Sequence, residues 1–163
     1  MSLFEWCQWL EQTPPAIAIA ESIWLFPLIE GSHILALPLS VGMIVFFDLH
    51  LLGLTLAGTN AARVMKDMIR WSRIGFAIMF ITGGLLFMTH AGKAYGNAFF
   101  RAKVIFLVVL GLNAALYQVI LYPKMPQWHV DGSTPFGAKF CAMLSLVLWI
   151  SVIVCGRTMA YQL

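Results

Sequence analysis

The sequence predicts an all-α protein, namely a bundle of four transmembrane helices with a short interfacial helix at its N-terminal end. Of its 163 residues, 61% are hydrophobic and only 10% are charged, whereas about a quarter of the residues of soluble domains are charged. Its mean hydropathy is +0.86. Four apolar stretches are each long enough to cross a bilayer, for which about 20 apolar residues suffice. We therefore expect residues 1–163 to form a single transmembrane domain.

The N-terminal segment carries the signature of a helix lying on the membrane surface. Ser2 and Glu5 have the spacing of a capping box, in which each side chain bonds the other residue's backbone N–H. Trp6 and Trp9 follow, and tryptophan prefers the boundary between lipid and water. We predict an interfacial helix over residues 2–12, with packing of this segment on the bundle as the alternative.

The first spanning helix is predicted over about residues 15–57, because Thr13-Pro14 is a typical helix start. Such a helix would be about 65 Å long at 1.5 Å per residue. Because the hydrocarbon core is only about 30 Å thick, this helix must be tilted, broken at Pro27 or Pro38, or extended past the bilayer.

Three further spans are predicted at about residues 71–90, 99–122 and 136–161. Pro123 ends the third span, and Thr134-Pro135 starts the fourth. A basic segment, Arg63 to Arg73, lies between the first two spans, whereas the N-terminal segment has no Lys or Arg. Cytoplasmic loops carry an excess of basic residues. We therefore expect this basic segment inside and both termini outside the cytoplasm.

Ionisable residues within the first span mark a candidate site, because charge in lipid is costly and faces the bundle interior. On a helical wheel of about 100° per residue, Glu30, His33 and Asp48 share one face. Glu30 and His33 have the i, i+3 spacing of carboxylate–histidine metal sites, so both are candidate metal ligands. The cofactor is left open between haem b and a transition metal, and Met88-Thr89-His90 is a weak local signal for copper.

His90 ends the second span on the side where the first span begins, and the third span starts there as well. His33 and His90 are therefore the candidate pair of axial ligands for a b-type haem. The other polar residues expected to be buried are Asp48, Asn97, Lys103, Asn113 and Tyr117.

Structural roles compete with these assignments. Glu30 can be the ion-pair partner of Lys103, and His33 can be a hydrogen-bonded core histidine. Asp48 can pair with Arg63 or Arg70. Asn113 and Tyr117 can join helices through hydrogen bonds.

Several segments resemble an uncharacterised bacterial family of four-span membrane proteins, namely ESIWLFPLIEGSH, FFDLHLLG, GGLLF, YGNAFFRAK and GLNA. The family is similar in layout to the copper-resistance protein D group and to four-helix b-type cytochromes. The resemblance implies that Glu30, His33, Asp48, Asn97, Lys103 and Asn113 belong to the recurrent pattern, and that the protein lies in the bacterial cytoplasmic membrane. His50 stands where the family pattern has Arg, and Gln118 where such chains carry a histidine.

Three functions remain open. The first is an accessory component, for example of a redox complex, with a polar Glu/His/Lys site near the outer leaflet and with other membrane subunits or a second copy as partners. The second is electron transfer through haem b or a transition metal, and the third is transport of a small solute, proton or metal ion. No catalytic motif is present, and no basic run points to nucleic acid.

Overall fold

The structure is a computed structural model that describes residues 2–55, 61–124 and 134–161, without the side chains at 61–65 and 67. The described residues contain helices and no strand, which confirms the all-α prediction. Within these described ranges, four helices are long and apolar enough to cross a membrane: Leu25–Leu51, Met68–Thr89, Ala98–Lys124 and Phe136–Ala160. The protein is therefore a multi-pass membrane protein.

Helix α1 (Leu3–Glu11) begins with the predicted capping box between Ser2 and Glu5. It packs against a short helix that follows the second span, α6 (Ala91–Gly96). The Oε1 atom of Glu11 accepts a hydrogen bond from the N–H of Gly92 at 3.0 Å, and a carboxylate is favourable at the start of a helix. Helices α1 and α6 thus cover one end of the bundle; the location of α1 at the membrane surface stays a prediction.

The stretch predicted as one helix over 15–57 is divided. Helix α2 (Pro14–Glu21) ends at Ser22, whose extended backbone breaks the chain direction. Helix α3 (Leu25–Leu37) then begins, and the hydroxyl of Ser22 accepts from the N–H of Leu25 at 3.1 Å. The break therefore precedes Pro27, which lies in the first turn of α3, where a missing N–H costs no helical bond.

The second proline of this stretch has a different effect. Pro38–Gly42 forms a π-helical turn, after which helix α4 (Met43–Leu51) completes the first span. Residue Gly53, with a φ of 80°, ends the helical course because glycine adopts this backbone conformation without strain. The predicted continuation to residue 57 lies partly outside the described residues.

The remaining spans come from three helices and their extensions. They are α5 (Ala61–Thr89), α7 (Ala98–Leu116) with a π-helical turn (Tyr117–Leu121) and a 3₁₀ turn (Tyr122–Lys124), and α8 (Phe136–Ala160). Helix α5 packs on α3 and the first π turn, α4 packs on α8, and α8 packs on α7. At the α6 end, the rings of Phe87 and Phe100 stack at 5.2 Å and join α5 to α7.

An apolar layer fills the middle of the bundle. Its buried members come from three spans: Val41, Leu110, Leu148, Trp149 and Val152. The layer divides the interior into two polar regions, one on each side. The region on the α6 side contains His33 and Lys103, and the region on the opposite side contains Asp48 and Tyr117.

Candidate functional site

Among the described glycines, the closest backbone approach lies between the first span and α5. A Cβ atom placed on Gly75 would lie 2.6 Å from the backbone N of Ser40, so the π turn and α5 touch backbone to backbone. The hydroxyl of Ser72 donates to the carbonyl of Ser40 at 3.2 Å. Because backbone carbonyls cannot bond water inside a bilayer, such a bond supports the irregular turn.

His33 belongs to this same contact. The hydroxyl of Thr82 donates to the carbonyl of Ile78 at 2.7 Å, so its oxygen accepts from Nδ1–H of His33 at 2.8 Å. The imidazole ring lies against Gly83, where a Cβ would come within 3.1 Å of His33 Cε1. The ring is therefore held in place against α5, with the backbone of Met79 as a second hydrogen-bond partner.

His90 repeats this arrangement at the end of α5. The hydroxyl of Thr89 donates to the carbonyl of Leu86 at 2.8 Å and accepts from Nδ1–H of His90 at 2.9 Å. The ring of His90 contacts Phe26 edge-on at 5.8 Å. Since His33 lies beside Thr82 and His90 beside Phe26, the two histidines differ by about seven residues along the helices, or about 10 Å.

The other residues predicted near His33 are distributed differently from the expected cluster. Lys103 is close enough to His33 to interact electrostatically, and its Nζ lies 3.5 Å from the place of a Cβ on Gly156 of α8. Asn97 caps α7 by accepting from the N–H of Phe99 at 2.8 Å. Glu30 is exposed, so the burial expected for its side chain is not found.

The π turn explains why His33 and Asp48 do not share one face. A wheel at about 100° per residue holds only for a regular α-helix, and the wider π turn at Pro38 changes the phase of everything after it. His33 consequently faces α5, whereas Asp48 faces α8 and bonds the Ser145 side chain there. The predicted wheel was wrong in its assumption of one uninterrupted helix.

A cavity of about 380 Å³ lies on the other side of the apolar layer. All four spans line it. The first span contributes Met43, Ile44, Phe47, Asp48 and Leu51, and α5 contributes Met68, Ile69, Ser72, Arg73, Phe76 and Phe80. The third span contributes Leu107, Leu110, Gly111, Asn113, Ala114, Tyr117 and Gln118, and α8 contributes Cys141, Ala142, Ser145 and Trp149. Its lining residues Phe80, Gly111 and Ala114 are exposed. The cavity therefore opens sideways between α5 and α7, toward the lipid.

Two polar atoms in the cavity wall are buried without a hydrogen-bond partner among the described residues. They are Oδ2 of Asp48 and the hydroxyl of Tyr117, which belong to side chains only 5% and 8% exposed. Asn113 is satisfied, since its amide donates to the carbonyl of Cys141 on α8 at 3.0 Å. A buried polar group with no partner is rare in native structures and calls for an explanation.

Sequence reasoning did not assign a role to Ser72, Ser145 or the aromatic pair Phe76 and Trp149. Serines within apolar spans give a weak signal, because they also satisfy themselves on their own helix. One usable signal was Pro38, since a proline inside a span predicts an irregular turn. Asp48 and Tyr117 were recognised as buried polar residues, but their common cavity was not predicted.

Comparison with known proteins supplies a family and no activity. No curated protein and no solved structure matches the chain, so similarity to the copper-resistance protein D group or to b-type cytochromes is not shown. A model of a family of unknown function matches residues 26–162, which include nearly all of the four spans and the cavity between them. The chain belongs to this family of unknown function (DUF6644).

Proposed function

We propose that this protein is a non-catalytic accessory component of a bacterial cytoplasmic membrane, and that it holds a lipid-soluble small molecule in the cavity between α5 and α7. One observation carries the proposal: two unpartnered polar atoms, on Asp48 and Tyr117, lie in a cavity that opens toward lipid. Ligand sites are concave and mostly apolar, with a few polar groups that orient the ligand.

The proposal is tested by what co-purifies with the protein. Ala114 lines the cavity on an exposed face of α7, so Ala114→Phe fills the opening. Val108 is exposed on the same helix but does not line the cavity, so Val108→Phe is the matched control. We expect organic extraction and mass spectrometry to find a compound bound to the wild type and to Val108→Phe, and not to Ala114→Phe. Equal recovery from all three proteins would overturn the proposal.

Metal or haem binding at the histidines is a second candidate, favoured by the Thr–His hydrogen bonds. Donation from Nδ1 orients an imidazole and leaves Nε2 for a ligand bond, as at His90. The axial offset of about 10 Å between His33 and His90 disfavours a single haem held by both. Within the described residues, no group of three or more His, Cys, Asp and Glu side chains can hold a metal ion. A Soret band or stoichiometric metal in the purified protein would establish this role.

The orientation in the membrane remains part of the proposal, with the basic segment inside and the termini outside. Arg70 and Lys93 are exposed near opposite ends of the second span. In a variant without the native cysteines, an impermeant maleimide applied to intact cells is expected to label Lys93→Cys and not Arg70→Cys. The reverse pattern would show the opposite orientation.

A further inference from the structure

The two unpartnered atoms in the cavity differ in their chemistry. One is a carboxyl oxygen of Asp48, whose side chain already bonds Ser145, and the other is the phenolic hydroxyl of Tyr117. The two side chains are close enough to interact electrostatically. A carboxylate only accepts hydrogen bonds, whereas a tyrosine hydroxyl donates one and accepts others. A ligand that satisfies both must therefore match two different groups.

We propose that the molecule in this cavity carries a phenolic hydroxyl, as alkylphenols and hydroquinones do, and that this hydroxyl donates to Asp48 and accepts from Tyr117. This inference rests on the proposed function and names its ligand class. A hydroxyl both donates and accepts, so it complements the carboxyl group in either protonation state. An ether or a ketone only accepts, and it leaves an ionised carboxylate unsatisfied.

The walls of the cavity favour an aromatic ring over an aliphatic alcohol. The ring of Phe47 meets Tyr117 edge-on at 5.8 Å, and Phe76 stacks on Trp149 at 5.6 Å. Aromatic rings prefer such offset and edge contacts with one another. Arg73 also lines the cavity, and its positive charge disfavours a cationic amine. An alkyl tail attached to the ring would leave between α5 and α7 into the bilayer.

The experiment compares two probes that differ by one methyl group, para-decylphenol and its methyl ether, para-decylanisole. Binding to the protein in nanodiscs is followed by quenching of Trp149 fluorescence, and a Trp149→Phe variant gives the background from the other tryptophans. We expect the phenol to bind at least about tenfold more tightly than the ether, because the ether cannot donate to Asp48 and leaves its buried oxygen without a partner.

Variants of the two residues separate the hydroxyl contact from general packing. Asp48→Asn should weaken binding of the phenol about tenfold and leave binding of the ether unchanged. Tyr117→Phe should weaken binding of both probes about fivefold, because the oxygen of the ether also accepts from the tyrosine hydroxyl. Tyr122 is exposed and does not line the cavity, so Tyr122→Phe is the matched control and should leave both affinities unchanged.

The outcomes distinguish the ligand class from the proposed function. Equal affinity for phenol and ether, or equal losses for both probes in Asp48→Asn, would overturn the phenolic assignment while leaving a ligand cavity. Absence of binding by either probe would overturn the phenolic assignment too. If co-purification also yielded no compound, the proposed function would fail with it.

Discussion

Helix α5 has two sides that are built in opposite ways. Toward the first span, its backbone touches the π turn at Gly75, and its hydroxyl groups at Ser72 and Thr82 are engaged in hydrogen bonds to that span. Toward α7, the helices meet through the Phe87–Phe100 stack and diverge around a cavity that contains unpartnered polar atoms. On the side of the first span, the hydroxyl groups of α5 find hydrogen-bond partners within the chain, and we call this the complete side. On the side of α7, polar atoms of the cavity lack a partner unless a ligand binds, and we call this the incomplete side.

The difference shows how a membrane protein can separate folding from binding. Lipid tails are as apolar as the side chains they meet, so helices associate through close packing of small residues and through hydrogen bonds. Gly75, Gly83, Ser72 and Thr82 supply both to the contact between the first span and α5. The cavity between α5 and α7 has neither close backbone packing nor hydrogen bonds to its two unpartnered polar atoms, so these atoms remain available to a ligand.

The largest loss of stability is expected for a substitution at Gly75, where the backbones of α5 and the π turn touch. A Cβ on Gly75 would approach three backbone atoms of Leu39 and Ser40 within 2.6–2.9 Å, and a helix backbone cannot move aside cheaply. We expect Gly75→Ala to lower the free energy of unfolding by about 3 kcal/mol, measured as a fall in apparent Tm in detergent. Gly84→Ala on the same helix is the control, since nothing lies within 4 Å of its Cβ. Similar Tm values for the two variants would contradict the backbone contact.

Removing one hydroxyl group from each side of the bundle, at Thr82 and at Tyr117, compares how much each contributes to stability. Thr82→Val preserves shape but removes the hydroxyl that bonds Nδ1 of His33, which should cost about 1 kcal/mol. Tyr117→Phe removes a hydroxyl that has no partner, so stability should change by less than about 0.5 kcal/mol. Thermal unfolding of ligand-free protein measures both. A larger loss from Tyr117→Phe would mean that its hydroxyl is already satisfied.

The sequence predicted the complete side better than the incomplete one. The spans follow from composition and length alone, because lipid demands long apolar helices, and His33 was recognised because an imidazole in a span needs a partner. Asp48 was wrongly assigned to the face of His33 because a wheel of constant pitch does not hold across the π turn at Pro38. Glu30 precedes this turn, and its offset of about 60° from His33 on the wheel is enough to leave it exposed. The cavity was not predictable from one sequence, because it depends on how far α7 stands from α5.

A glycine on the open side should behave in the opposite way to Gly75. Gly111 lines the cavity on α7, and nothing lies within 4 Å of a Cβ placed there. Glycine in a helix interior is less favourable than alanine, so Gly111→Ala should raise the free energy of unfolding by about 0.5–1 kcal/mol. The comparison with Gly75→Ala under the same detergent conditions measures the asymmetry of the bundle. A loss of stability would show that α7 approaches its neighbours more closely here.

The smallest change in stability is expected for a substitution of Glu30. This residue lies at the edge of the contact between the first span and α5. His33 is one turn away and faces α5, whereas Glu30 is exposed. Glu30 follows the start of the span by five residues, or about 8 Å, so its carboxylate can reach the polar boundary of the membrane. We expect Glu30→Gln to change the free energy of unfolding by less than about 0.5 kcal/mol, as exposed substitutions usually do. If detergent unfolding instead showed a loss as large as that of Thr82→Val, the carboxylate would belong to a buried contact, and the boundary between the two sides would have to be redrawn.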